Sequence, residues 1–167
     1  MRRWLPHLGI ALGIAIAVYA LFFAESAEDR IRAQLDALSE AIAVRGEENP
    51  VLRGARVKKA FEGVMLKEVN FEIPELTEGQ TGRNELVRLA TMGSQLYQRA
   101  RIDLDGLTID LDKSESSAIA RGEALLIGVR RTGEPVRDHR TVALRFDEID
   151  DQWLLVSISV SLPIESH

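Results

Sequence analysis

The chain has 167 residues, no cysteine, and 21 basic against 26 acidic residues, for a formal net charge of −5. Without cysteine it forms no disulfide framework, no thiolate nucleophile, no Cys-ligated metal or iron–sulfur centre and no lipoprotein linkage. Arg2 and Arg3 precede the first apolar block, so the part after residue 24 carries 19 basic and 26 acidic residues, a net −7. That balance argues against nucleic acid or an anionic lipid surface as its main partner.

Residues 8–24 (LGIALGIAIAVYALFFA) contain no charge, and extending the run back to Trp4 adds only Pro6 and His7. As a helix, residues 4–24 span roughly 30 Å, about one hydrocarbon core. Arg2 and Arg3 lie before the run, and Glu25, Glu28 and Asp29 after it. The positive-inside rule therefore predicts a single-pass anchor with Met1 in the cytoplasm and the rest in the periplasm or its equivalent. A cleaved secretory signal is the competing reading. A cut after Ala24 would leave bulky Phe22 three residues back, and a cut after Ala27 would leave Glu25 there, so the uncleaved anchor is preferred. Gly9, Gly13 and Ala17 recur at every fourth position, a small-residue strip along which two membrane helices can approach closely.

After the anchor, ESAEDRIRAQLDALSEAIAVRG predicts a first helix with Ile31, Leu35, Leu38 and Ile42 on one face and Gly46 as its stop. Residues 51–61 predict a short second helix whose Arg53, Arg56, Lys58 and Lys59 form a solvated basic side. Val69, Phe71 and Ile73 alternate with Glu68, Asn70 and Glu72, a strand ended by Pro74. A third helix is expected over 84–100, with Leu86, Leu89, Ala90 and Leu96 apolar. From Arg101 the period is two. A slip at Asp105–Gly106 changes the apolar parity, as a bulge does. Further strands are read at 117–131, 137–146 and 153–162, joined by TGEP and DEIDDQ turns. Long strands with short polar turns predict an antiparallel, curved meander, and the overall class is α+β.

Three helices, one short strand between the second and third, and a closing run of long strands resemble the nuclear transport factor 2-like cone, a family that includes ketosteroid isomerase and polyketide cyclases. The resemblance covers about residues 26–162. It is carried by TGRNELVRL at the entry to the third helix and by the closing RTVALRFDEIDDQWLLVSISV. An anchored domain of this type also resembles the periplasmic assembly component of type IV secretion machines, although that component has a longer cytoplasmic start. The expected organisation is thus 1–24 anchor, 25–46 juxtamembrane first helix, 47–162 the remainder of the cone and 163–167 a tail.

The isomerases of this family use an acidic base with a Tyr and a protonated Asp as oxyanion hole. No such set transfers here, because the first helix has no Tyr. Tyr97, Arg121 and Glu123 are the candidate pocket residues; the last two share a parity with Ile119, Leu125 and Ile127, read as the inward one. His139 lies opposite Val142, Leu144 and Phe146, on the outer face. DLDGLTIDLD departs from a calcium loop, and neither Gly122 nor Gly128 belongs to a phosphate-binding motif. No cofactor or metal is expected. The expectation is a filled cone acting as a membrane-anchored, non-catalytic scaffold. Its serine parity, Ser157, Ser159 and Ser161, opposite Leu154, Val156, Ile158 and Val160, would form a homodimer surface or dock another envelope protein. The alternative is a small-ligand receptor or isomerase-like enzyme using the interior.

Overall fold

The computed structural model describes residues 25–74 and 82–163. Three helices, α1 (Ala27–Ile42), α2 (Pro50–Val64) and α3 (Arg83–Leu96), pack on one six-stranded sheet. The strands are β1 (Val44–Arg45), β2 (Met65–Glu72), β3 (Tyr97–Leu111), β4 (Ser117–Arg130), β5 (Pro135–Ile149) and β6 (Gln152–Ser161). Their order is β1-β3-β4-β5-β6-β2, antiparallel throughout except for the parallel β2–β6 pair. No helix among the described residues is long and apolar enough to cross a membrane. The anchor expected at 4–24, with Gly9, Gly13 and Ala17, lies outside the described residues.

Each helix starts where its local chemistry permits. Ser26 caps α1 by accepting from the Asp29 amide, and Asn49 caps α2 by accepting from Val51 and Leu52, with Pro50 in the first turn. α3 ends at Leu96, four residues earlier than the periodicity predicts. Arg99 and Ala100 are taken into the sheet by pairing with Arg45 and Val44. The Leu96 carbonyl then accepts from the Arg131 amide.

The register of the sheet slips at four places, two of which shape the interior. In β3 one of these falls between Asp105 and Thr108, with Gly106 at φ 61°, where the alternation breaks in the sequence. The other lies opposite Arg145 and Phe146, where β6 gains a residue. It corrects the expected parity of that strand: Trp153 and Leu155 enter the core, not Leu154 and Val156, and only beyond the bulge do Ile158 and Val160 face inward.

The narrow end is solid. Ile31 and Leu35 from α1, Val57 and Phe61 from α2, and Ala118, Ala120, Phe146, Trp153 and Leu155 from the sheet are all at most 5% exposed and form one cluster. The apolar face of α1 therefore packs on its own domain, as its period implies.

Candidate functional site

One strand gives the depth scale of the interior. Along the concave face of β5, Phe146 is closed off in the core, Leu144 and Val142 form the wall of a cavity, and Arg140 and Asp138 stand toward its mouth. The cavity holds about 600 Å³. Its deep wall is apolar: Phe61, Met65, Leu86, Leu104, Leu144 and Ile158 line it. β4 contributes Ala124 and Leu126, and its small concave residues leave the space that branched ones would fill. The expected filled cone is corrected accordingly, because the packed core stops at the narrow half.

Charge is confined to a few places on this wall. Arg140 and Asp138, two residues apart on one face, are joined by Nε to Oδ1 at 3.1 Å and Nη2 to Oδ2 at 3.0 Å, a bidentate pair that engages both carboxylate oxygens. Arg101 borders the cavity, but it is cross-strand to the outward Ile127 and pairs with Asp103 at 3.1 Å on that convex parity. Tyr97, the first residue of β3, and Ser39 of α1 add hydroxyls.

Arg53 is the exception, a buried cation with 1% exposure in the cavity wall. Its guanidinium donates to the carbonyls of Ile42 at 2.7 Å, of Ala90 at 2.9 Å and of Ala43. It thereby satisfies carbonyls at the end of α1 that have no partner within the helix. Burial lowers its pKa, while the Glu48 carboxylate, 3.8 Å away, works against that shift. The expected solvated position for Arg53 is corrected: it shares a stripe with Val57, Phe61 and Val64, and that spacing was visible in the sequence.

The structure does not bring the three nominated residues together. Tyr97 lines the cavity, whereas Arg121 and Glu123 lie on the convex face. There Arg121 binds Asp110 at 2.7 Å and Glu123 meets His139 at 3.0 Å, both pairs exposed. The inward parity of β4 is Ala118, Ala120, Ala124 and Leu126, and the bulkier Ile119, Leu125 and Ile127 point out with Arg121 and Glu123. Asp138 and Arg140 were missed, although they continue the parity of Val142, Leu144 and Phe146 toward the strand's start. Chemically, the described lining holds no histidine, and its one carboxylate is already bonded to Arg140. Among the described residues no cluster of three His, Cys, Asp or Glu side chains is placed to hold a metal.

Three helices against a curled antiparallel sheet, closed at one end and hollow at the other, define the nuclear transport factor 2-like cone. No protein-family model matches the sequence, and no curated protein is similar to it. Solved structures do match. A nuclear transport factor 2-like superfamily protein from Salmonella enterica is 14% identical with a TM-score of 0.65, covering 82% of this chain and 91% of its own. A hexachlorocyclohexane dehydrochlorinase, LinA type 2, is 10% identical with a TM-score of 0.66 over 82% of this chain and 85% of its own. The association domain of C. elegans CaMKII is 15% identical with a TM-score of 0.56 over 80% and 93%. One is an enzyme and another an association domain, so the likeness establishes the fold and leaves function to the site.

Proposed function

We propose that this protein binds a small, largely apolar molecule inside the cone without transforming it. The observation that carries the reading is the cavity of about 600 Å³, apolar in depth with a few polar groups near its opening. That size and lining are typical of small-molecule sites. A neighbour of the same fold named as a hexachlorocyclohexane dehydrochlorinase lends support to a small-molecule role. Catalysis has less support, since the bidentate bond to Arg140 leaves Asp138 poorly placed to act as a base.

We further propose that residues 4–24 anchor the chain with its N-terminus in the cytoplasm and the cone in the periplasm. The support is the uncharged run and its flanking charges. The Arg30–Glu148 pair, at 3.5 Å, joins the start of α1 to the narrow end, and Ile42 at its other end lines the cavity. The 16-residue helix is roughly 24 Å long, so an anchored cone would hold its mouth away from the bilayer. A homodimer through the convex sheet is proposed on Ile119, Leu125 and Ile127, which face outward beside Ser157 and Ser159. An envelope protein docking on this face is the alternative partner.

The test is methyl NMR on the full chain in zwitterionic lipid nanodiscs, titrated with decanol against an empty-disc blank. Shifts should be confined to cavity methyls such as Leu104, Leu126, Val142 and Ile158 and be saturable. If the convex Ile119 and Leu125 methyls respond equally, the interior is not the site.

A further inference from the structure

Resting on that reading, we infer that the ligand is uncharged: a hydrocarbon body carrying one hydrogen-bonding oxygen, as in an alcohol or a ketone, received by the hydroxyls of Ser39 and Tyr97. Each ionised group of the described lining already has a partner in the protein. Arg53 gives its Nη groups to the carbonyls of Ile42, Ala43 and Ala90. Asp138 is held bidentately by Arg140, which has further contacts of its own, and Arg101 pairs with Asp103 on the convex parity. A charged ligand would give up water on entry and meet no free counter-charge in return. The exclusion applies to both signs, because either ion faces the same deep lining of Phe61, Met65, Leu86 and Leu144.

The hydroxyls differ from the charges. Ser39 and Tyr97 line the cavity, and among the described residues neither side-chain oxygen has a hydrogen-bond partner. Thr91 of α3 returns its hydroxyl to the Val87 carbonyl at 2.7 Å, as helical Ser and Thr often do, whereas Ser39 of α1 makes no such bond. The two residues belong to one corner of the wide end. Ser39 is in the last turn of α1, and β1, which follows it, pairs through Val44 with Ala100, three positions after Tyr97. Tyr97 also borders a smaller hollow of about 340 Å³ with Leu96 and Arg130, which places it at the mouth. A hydroxyl both donates and accepts, so this pair suits an alcohol or a ketone equally. A purely hydrocarbon ligand would leave both hydroxyls unmet, which disfavours it against one that carries an oxygen.

The experiment titrates the full chain in phosphatidylcholine nanodiscs with decanol, 1-chlorodecane, decanoate and decyltrimethylammonium, in mildly alkaline buffer so that decanoate is ionised. Cavity methyl shifts and calorimetric affinities are read against empty discs. Decanol should bind at least about tenfold more tightly than either ion. The double variant Ser39→Ala with Tyr97→Phe should weaken decanol about five- to tenfold, the loss expected for two hydrogen bonds, and leave 1-chlorodecane unchanged. Either ion binding as tightly as decanol, with both abolished by Ala124→Phe, would overturn the neutral preference and leave the ligand site standing. A folded double variant with unchanged decanol affinity would remove the two hydroxyls from the site and overturn the inference in the same way. Decanol binding undiminished in Ala124→Phe would sink the ligand site itself. If that variant does not fold, Leu126→Trp, at another lining position, takes its place.

Discussion

Arg53 donates to the carbonyl of Ala90 across 37 positions of sequence, at 2.9 Å, and with the same Nη2 to the carbonyl of Ile42 at 2.7 Å. One side chain of α2 thus ties α3 to the end of α1, and all three helices are fixed around the upper wall of the cavity. Arg53→Met should cost about 3–5 kcal/mol, because it removes the buried cation that the Ile42 and Ala90 carbonyls accept from, while Glu48 keeps its bond to Arg56 at 2.8 Å. Arg53→Lys should recover part of that loss, since an ammonium keeps the charge but not the planar fork. Urea denaturation followed by the near-ultraviolet signal of the chain reads both.

Gly122 and Gly128 lie where β3 passes closest to β4. A Cβ at Gly122 would stand 2.8 Å from the Asp105 carbonyl oxygen, and one at Gly128 would stand 2.7 Å from that of Arg99. Backbone cannot swing aside as a side chain can. Either change to Ala should cost about 1–3 kcal/mol, and at Gly122 it should also straighten the bulge. Gly54→Ala is the control: its Cβ would meet only Thr91 Cγ2 at 3.8 Å, in a helix, so it should stabilise by about 0.5–1 kcal/mol. Equal effects at the three positions would refute the close-approach argument.

The β5–β6 hairpin turns on Asp150 and Asp151, at φ 51° and 60°. Two consecutive positive φ values define a type I′ turn, which glycine suits at the second position. Asp151→Gly should raise the unfolding midpoint, by an amount corresponding to a few tenths to about 1 kcal/mol. A lower midpoint would mean that the aspartate makes a compensating contact.

How much of this was legible depended on which residues compete for a face. α1, β2 and the β3 bulge could be read because their apolar residues have one period and one partner surface. β1 could not, since two residues carry no period and become a strand only by pairing with Arg99 and Ala100. β4 misled for another reason. Both of its parities are apolar, and the larger set, Ile119, Leu125 and Ile127, lies outside, because a hollow interior calls for small residues on the concave side. Volume, which the alternation does not encode, decided the direction. The same oversight hid Asp138 and Arg140 at the charged start of a strand whose later half is core.

Asp112 organises the β3–β4 turn. Its carboxylate accepts from the Ser114 hydroxyl at 2.6 Å and from the amides of Ser116 and Ser117 at 2.9 and 3.1 Å. These bonds, the Ser114 hydroxyl first, hold its pKa below the usual aspartate value of 3.8. A depressed folded-state pKa stabilises above the unfolded pKa and ceases to do so as pH falls through the folded one. Wild type should therefore exceed Asp112→Asn in denaturation midpoint at neutral pH, and the gap should narrow from about pH 4 downward. A gap constant down to about pH 2 would assign the effect to geometry, not charge.

The sharpest separation of inside from outside comes from two carboxylates. Asp138 lines the cavity and pairs with Arg140, whereas Glu123 sits on the convex face against His139. Asp138→Asn keeps the size and one acceptor but removes a negative charge, so the cavity wall becomes more positive. Decanoate affinity should then rise severalfold, with decanol unchanged. Glu123→Gln should leave both affinities and the cavity methyl spectrum as they are, because its charge is exposed and on the other side of the sheet. Calorimetry on the two variants at low and high salt decides the matter. The gain in Asp138→Asn should shrink at higher ionic strength, since its carboxylate is partly exposed and its effect on the ligand is screened. A loss of decanoate binding in Asp138→Asn would mean that the carboxylate supports the site instead of repelling the anion. An equal response in Glu123→Gln would mean that the ligand lies on the outer sheet.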